Sequence, residues 1–463
     1  MSLDAVFNAK SIAVVGGSEK PGTLGRALME NLLFGGYKGR VYAVNIRGDT
    51  VFGHPVFRRV TDIPDEVELA VIVVPARVVP NVLRDCAAKG VKAAIIISAG
   101  FSETGEEGRR LEQEVVSIAR KAGIRIIGPN CLGVYNAHNR LDTIFNPSDR
   151  QGKPKPGSIA FISQSGALGA AILDWFSLVG LGMSKFVSYG NAADVDEADL
   201  VEYLAEDPQT RVICMYIEGV RNGPRFVEAA RRAARKKPII ALKAGRTPRG
   251  AAAVTSHTGS LAGEDRIYDA AFQRSGIIRA RTLEDLFAKA KALSLQPPAP
   301  GDRIAIVTNG GGAGVIATDA VEALGLKMAD LSPETQRILQ QKLPPHASWR
   351  NPVDVIGDAP VERYDAAIRA VMQDPQVDAV LVIFLFQSPA LDAPRAVEML
   401  DAMNREFTKP LIACTPGGEH AAKHARLMEE RGIPVYSTPE EAVLAIEGLV
   451  RYGIILRKLA SSQ

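Results

Sequence analysis

The sequence repeats one local layout: an apolar strand, a small-polar turn bearing glycine, then the start of a helix. It occurs at Ser11-Ile-Ala-Val-Val-Gly-Gly-Ser18, at Ile159-Ala-Phe-Ile-Ser-Gln-Ser-Gly166 and at Ile304-Ala-Ile-Val-Thr-Asn-Gly-Gly311. Between these, residues 70–74, 93–97, 125–127, 212–217 and 239–242 are nearly unbroken runs of apolar residues, mostly Val, Ile and Ala. A strand without a polar face is buried on both sides, which requires a parallel sheet covered by helices above and below. The predicted fold class is therefore α/β, with doubly wound parallel sheets. Each glycine turn aims backbone N–H groups and a helix N-terminus at one point, a cup suited to an anion.

A chain of 463 residues suggests about three domains at roughly 150 residues each. Two proline- and glycine-rich stretches, 146–157 and 296–301, divide it into units of 1–147, 155–296 and 301–463. A net charge of +3 gives no footprint for nucleic acid or a membrane surface. No apolar run approaches the ~20 residues of a spanning helix. Asp4 and Asn8 interrupt any leader-like stretch, so a cytoplasmic location is expected. Cys86, Cys131, Cys214 and Cys414 lie far apart without metal spacing and read as reduced, buried thiols. Among them Cys131 follows a glycine turn, but no base stands near it, and a packed thiol is the expectation.

The second and third units read as copies. Asp207-Pro-Gln precedes a strand in one and Asp374-Pro-Gln in the other; Lys237-Pro-Ile-Ile-Ala matches Lys409-Pro-Leu-Ile-Ala. They differ at one strand end, which is Glu218-Gly219 in the second unit and Phe384-Leu-Phe386 in the third. The second unit alone also carries Thr255-Ser-His-Thr-Gly-Ser260.

In the first unit Gly16, Gly17, Ser18 and Gly22 open a nucleotide-binding type of turn, with spacing that departs from G-x-G-x-x-G. The second strand ends in Asn45-Ile-Arg47 rather than the acidic residue a nicotinamide enzyme uses for ribose hydroxyls. A cation there suits an extra ribose phosphate, as in NADP or coenzyme A; an empty structural cup is the alternative. Later strand ends (Val74-Pro75, Ser98-Ala-Gly-Phe101, Gly128-Pro-Asn130) fall on the same carboxyl edge.

Of six histidines, His54, His138, His346, His420 and His424 lie in loop-like or surface-helix sequence. His257 stands among hydroxyls (Thr255, Ser256, Thr258, Ser260) beside Gly259, ahead of an amphipathic stretch over 261–275. A neutral imidazole is a competent phosphoryl acceptor near neutral pH. Ser163, Gln164, Ser165, Gly166, Thr258, Gly259 and Ser260 are candidate holders of the phosphoryl oxygens, with Lys243, Arg246 and Arg249 nearby for charge. Glu218 is the candidate carboxylate for the far ring nitrogen. A helix-start histidine bonded to its own loop is the alternative. No second ligand stands at i+3 or i+4 for a metal, and Ser163-Gln-Ser165-Gly166 is not a hydrolase elbow.

These segments together resemble the α subunit of ADP-forming acyl-CoA synthetases (acetate–CoA ligase, ADP-forming). They are, more distantly, similar to the succinyl-CoA synthetase α subunit, which matches only the first two units. The resemblance rests on the first opening, Gly128-Pro-Asn-Cys-Leu-Gly133, Ser163-Gln-Ser-Gly-Ala-Leu-Gly169, Tyr216-Ile-Glu-Gly219, Ser256-His-Thr-Gly-Ser260 and Thr308-Asn-Gly-Gly-Gly-Ala-Gly314. It implies a Rossmann-like CoA-binding domain followed by two flavodoxin-like domains. It implies coenzyme A on Gly16, Gly17, Ser18, Gly22, Asn45, Arg47, Val74, Pro75, Ser98 and Asn130. It also implies catalysis by His257 and Glu218, with acyl-CoA, phosphate and ADP converted reversibly to carboxylate, CoA and ATP through acyl phosphate and phosphohistidine. Nothing in the chain resembles an ATP-grasp domain, so a separate ATP-grasp β subunit is implied, in an α2β2 assembly, with Mg2+ accompanying ADP or ATP there. Asn309, Gly310 and Gly311 are candidates for a substrate pocket. The alternatives are a non-catalytic CoA-binding or regulatory subunit, a lysine acetyltransferase built on the same units, and an NADP-dependent dehydrogenase.

Overall fold

The computed structural model describes residues 3–258 and 264–461, with residues 255–258 described by their backbone alone. It contains three mostly parallel sheets flanked by helices, and the chain divides into compact units over residues 1–279 and 280–463.

The first sheet of the first unit has seven strands. Ser11–Val15 lies between Arg40–Val44 and Leu69–Ile72, and all three run parallel. Ala93–Ile96 and Arg125–Ile127 extend one side, and His54–Phe57 with the antiparallel Thr50–Val51 extends the other. Ser11–Val15, Leu69–Ile72 and Ala93–Ile96 are buried along their whole length, as unbroken apolar runs require. The strand order reverses at Ser11–Val15, and an α/β sheet opens a crevice at the carboxyl end of such a strand. Gly16 follows with φ +98°, and a Cβ there would lie 2.5 Å from the Val73 carbonyl oxygen. Gly25, in the first turn of the helix Leu24–Phe34, approaches the same bend so closely that a Cβ would lie 2.1 Å from the Gly16 carbonyl oxygen. Thr23 caps that helix by accepting from the Arg26 N–H.

The second sheet places Pro156–Ser163 between Val212–Ile217 and Met183–Ser188, with Ile239–Lys243 and Ile277–Ala280 beyond. Its far edge is a finding the sequence reading lacked. Gly133–Asn136 pairs antiparallel with Met183–Ser188, and Leu141–Asp142 pairs with Gly133–Asn136. This hairpin lies within the stretch expected to complete the first unit, and its residues belong to the second sheet. The polar Asn136 and Asp142 gave no apolar run to mark it; they are buried and bonded to the Phe7 carbonyl and to Lys153.

The third sheet, in the second compact unit, surrounds Arg303–Thr308. Lys327–Met328 and Val353–Asp354 pair with the start and end of that strand on one side, and Ala379–Ile383 pairs on the other, followed by Leu411–Cys414 and Val435–Tyr436. The helix Leu283–Leu295, within the sequence interval 155–296, falls in this compact unit. It packs on Pro439–Ser461, and Lys289 joins Asp285 at 2.6 Å to Glu447 at 2.8 Å. His424, read from sequence as a surface residue, is 4% exposed. Its Nδ1 lies 2.9 Å from the His420 carbonyl and its ring 5.4 Å from that of Phe386, because Phe384 and Phe386 draw that helix face inward.

The duplicated sequence segments take duplicated roles. Lys237 Nζ donates to the Asp207 carbonyl, and Lys409 Nζ donates to the Asp374 carbonyl. Both aspartates close a helix, Glu197–Glu206 in one copy and Val361–Gln373 in the other. Among the described residues no helix is long and apolar enough to cross a membrane.

Candidate active site at the carboxyl edge of the second sheet

Pro156–Ser163 ends at a point of strand-order reversal, and the next residues form the expected cup. Ser163 Oγ donates to the Ser165 carbonyl at 2.7 Å, which closes the turn. Ser165 caps the 13-residue helix Gly166–Leu178 by accepting from the Leu168 N–H. The amides of the first turn, at Gly166 and Ala167, have no partner within the helix, and both residues line a cleft.

Gln164 lines the cleft and also braces the loop that presents Glu218. Its Oε1 accepts from the Glu218 N–H at 2.7 Å and from the Gly219 N–H at 3.0 Å. Its carbonyl end is thus spent on the loop that presents the carboxylate. Glu218 follows Val212–Ile217, is 5% exposed, and receives the Tyr216 hydroxyl at 3.3 Å. One strand over, Ile217 pairs with Lys243. Lys243 is 1% exposed, and its Nζ donates to the Ala244 carbonyl. Burial draws its ammonium below the usual lysine range; Asp265 and Glu218 oppose that shift.

The cup opens onto a cleft of about 1010 Å³ within the first compact unit. Of the residues expected at the site, Ser98, Asn130, Gln164, Ser165 and Gly166 line it, so edges of the first and second sheets meet there. Asn130, at φ +56°, donates from Nδ2 to Asn191 Oδ1 at 3.3 Å. Gly22 lines a neighbouring cleft of about 820 Å³ with Arg26, Arg140 and Lys153. Gly16, Gly17, Ser18, Asn45 and Arg47 cluster at the ends of two adjacent strands but do not line the larger cleft. There Asn45 donates to the Gly17 carbonyl at 2.9 Å and accepts from the Arg47 N–H at 3.0 Å. Val74 accepts the Ser98 hydroxyl at 2.6 Å, and Pro75 lines a separate surface hollow.

The sequence placed His257 ahead of a helix, with a helix-start histidine as the alternative; its backbone and that of Thr258 instead form the last turn of the helix Pro248–Thr258. The alanine-rich run 251–253 favours that helix. The side chains of His257 and Thr258, and the positions Gly259 and Ser260, lie outside the described residues. The helix expected from residue 261 is described over Asp265–Ser275.

Several residues of the site escaped the sequence reading. Arg221 lines the cleft and carries an exposed cation 3.6 Å from Glu112. Asn191 donates to Glu103 at 2.6 Å and to Glu112 at 2.9 Å. Despite burial, that bond and those from the Gly100 and Phe101 amides hold Glu103 below the usual glutamate range. Asn191 follows a strand end of the small-polar kind, Tyr189-Gly190-Asn191, and that signal could have found it. Cys131 is fully enclosed, and burial pushes its thiol up to about 12, which makes it a packing residue. Among the described residues no group of three or more His, Cys, Asp and Glu could hold a metal.

In the second compact unit, Asn309 grips the backbone as Gln164 does. Its Oδ1 accepts from the Leu385 N–H at 2.9 Å, so Leu385 occupies the place of Glu218. The Gly310 N–H donates to Thr308 Oγ1 at 3.0 Å, and a Cβ on Gly311 would lie 3.1 Å from an Asp354 carboxylate oxygen.

Three mostly parallel sheets, each with a strand-order reversal, and a capped helix N-terminus beside a buried glutamate define a CoA-ligase type of chain. Residues 10–137 match the CoA binding domain family, 156–293 the succinyl-CoA ligase like flavodoxin domain, and 304–454 the Ligase-CoA domain. The chain is 47% identical to the α subunit of acetate–CoA ligase [ADP-forming] I of Pyrococcus furiosus, over 98% of each chain. It is 39% identical to the dinucleotide forming acetyl-coenzyme A synthetase 1 of Ca. Korarchaeum cryptofilum, solved in complex with phosphate and ADP. That match has a TM-score of 0.92 and covers 100% of this chain and 99% of that one. The acetate–CoA ligase [ADP-forming] of Methanocaldococcus jannaschii is longer: a 43% identical match covers 96% of this chain and 62% of that protein. The chain belongs to the family of ADP-forming acetate–CoA ligase α subunits.

Proposed function

We propose that this chain is the α subunit of an ADP-forming acyl-CoA synthetase. The observation that carries the reading is the anion cup of Ser163, Ser165 and Gly166 beside the buried Glu218, in a chain similar over its whole length to α subunits of that family. In this reading a phosphate oxygen attacks the thioester carbonyl of acyl-CoA, and the CoA thiolate leaves. A nitrogen of His257 then attacks phosphorus, the bond from phosphorus to the acyl oxygen breaks, and the carboxylate is released. Phosphohistidine passes the phosphoryl group to ADP.

Glu218 accepts a hydrogen bond from the N–H of the other ring nitrogen and so fixes the tautomer that attacks. The Gly166 and Ala167 amides, with Thr258, Gly259 and Ser260, neutralise phosphoryl oxygens. Coenzyme A lies along Gly16, Gly17, Ser18, Gly22, Asn45, Arg47, Val74, Pro75, Ser98 and Asn130, with its thiol end in the cleft. The three functional segments are 1–147, 155–296 and 301–463, with the hairpin over 133–142 completing the sheet of the second and the helix Leu283–Leu295 packing on the third. ADP or ATP and its Mg2+ belong to an ATP-grasp β subunit, and the assembly is an α2β2 heterotetramer in the cytoplasm. Asn309, Gly310 and Gly311 border the acyl or partner-facing side.

The test is incubation of the complex with acetyl-CoA and radiolabelled phosphate. An acid-labile, base-stable label on the wild-type chain, absent from His257→Ala, supports the reading. A label that survives that substitution refutes the histidine, and CoA binding without any label favours a non-catalytic CoA-binding subunit.

A further inference from the structure

The loop that presents Glu218 is gripped from two sides. Gln164 takes the amides of Glu218 and Gly219; the hydroxyl oxygen of Tyr268 accepts the next one, Val220 N–H, at 3.1 Å. The same tyrosine ring carries the Lys243 ammonium 4.6 Å from its centroid. Tyr268 packs edge-on against Phe272, with 6.0 Å between centroids. It stands on Asp265–Ser275, whose first two turns Arg279 pins by ion pairs to Asp265 and Asp269. One side chain therefore touches the backbone two residues past the carboxylate and the buried cation on the neighbouring strand.

Lys243 makes this more than packing. Among the described residues it has no carboxylate at ion-pair distance; a carbonyl oxygen and the π face of Tyr268 hold it. A cation–π contact stabilises a desolvated ammonium without neutralising it. Its charge is thus not quenched by an ion pair, on a strand two removed from Pro156–Ser163 and next to the one that ends at Glu218.

We propose that Tyr268 is a positioning residue for phosphoryl transfer, holding the Glu218 loop by its hydroxyl and the Lys243 ammonium by its ring in one fixed frame. The proposal rests on the phosphoryl-transfer reading above. Tyr268→Phe keeps the ring and removes the acceptor; Tyr268→Leu removes both. In the complex, single-turnover labelling from acetyl-CoA and radiolabelled phosphate is expected to slow about tenfold in Y268F and about a hundredfold in Y268L, since misplacement of a reacting group by ~1 Å costs that order. The KM for acetyl-CoA and the Tm of Y268F should stay at the wild-type values. Lys243→Met removes the cation alone and should slow labelling about tenfold, and Tyr268→Leu/Lys243→Met should be no slower than Y268L, because the tyrosine change already releases that cation. Labelling at the wild-type rate in Y268L, or a KM rising in step with the loss of rate, overturns the assignment alone. A wild-type complex that takes no label overturns the functional reading and this assignment with it.

Discussion

Replacing Gln164 with leucine keeps the side chain's bulk and removes the oxygen that makes two of the three holds on the Glu218 loop. Two amides then lose their acceptor, at 2.7 Å and 3.0 Å in the native chain. The Glu218 amide is buried, and a buried donor without a partner costs about 1–3 kcal/mol. The Gly219 amide is half-buried and regains part of its bond from water, so the sum is about 2–3 kcal/mol. In a unit of this size that is a fall in Tm of about 5 °C. The functional loss should be larger. A loop freed at two of its three holds lets the carboxylate drift by about 1 Å, enough for roughly a hundredfold loss in phosphohistidine formation. The assay pairs calorimetry with single-turnover labelling of the complex. Gln164→Glu retains an acceptor oxygen and should recover the Tm while still labelling slowly, because a second carboxylate beside Glu218 repels the phosphoryl group. If Q164L melts and labels like the wild type, the loop does not depend on this side chain and the reasoning fails.

Lys185 is 1% exposed, and its Nζ lies 2.7 Å from Asp207. Lys185→Met leaves that buried carboxylate unpaired and should cost about 3–5 kcal/mol by urea denaturation, with the Lys185→Met/Asp207→Leu pair recovering much of the loss. Glu197 has its carboxyl pushed from 4.5 up to about 7, first by burial and then by the Asp196 charge, with Arg221 opposing. A raised folded value means the stabilisation is complete below pH 4.5 and is lost as pH rises toward 7. Up to about 3 kcal/mol is at stake, and Glu197→Gln should remove that part of the slope in denaturation curves at pH 5, 6, 7 and 8. All four thiols are buried, and Cys214 and Cys131 are fully enclosed. None should react with a thiol reagent at pH 8 until the protein unfolds; rapid labelling of Cys131 in the native chain would contradict its packing role.

The three openings and the parallel strands were legible because burial on both faces leaves short apolar runs, rich in Val and Ile and bounded by glycine turns. The duplication was legible too, down to Asp207 and Asp374, whose carbonyls receive the paired lysines. What escaped depends on distance across the chain. Gln164 looks like a cup residue because it sits in the cup; only its contact with an amide 54 positions away shows what its oxygen does. Tyr268 and Asn191 are ordinary polar residues in sequence, and their importance arises where strand ends converge. The helix over Pro248–Thr258 competed with a hydroxyl-rich stretch that favours loops, and the alanines before it prevailed.

The hairpin of Gly133–Asn136 and Leu141–Asp142 has a consequence for anyone who cuts this chain. It supplies the outer strands of a sheet whose other members begin at Pro156. A fragment starting at residue 150 would present Met183–Ser188 as a bare, fully buried-type edge with its hydrogen-bonding groups open to any passing strand. A fragment ending there would carry a ribbon with no sheet to join. The joint that looks like a hinge in the sequence is a mortise, and chimeras spliced at it should aggregate where those that carry residues 133–142 along with the second sheet stay soluble.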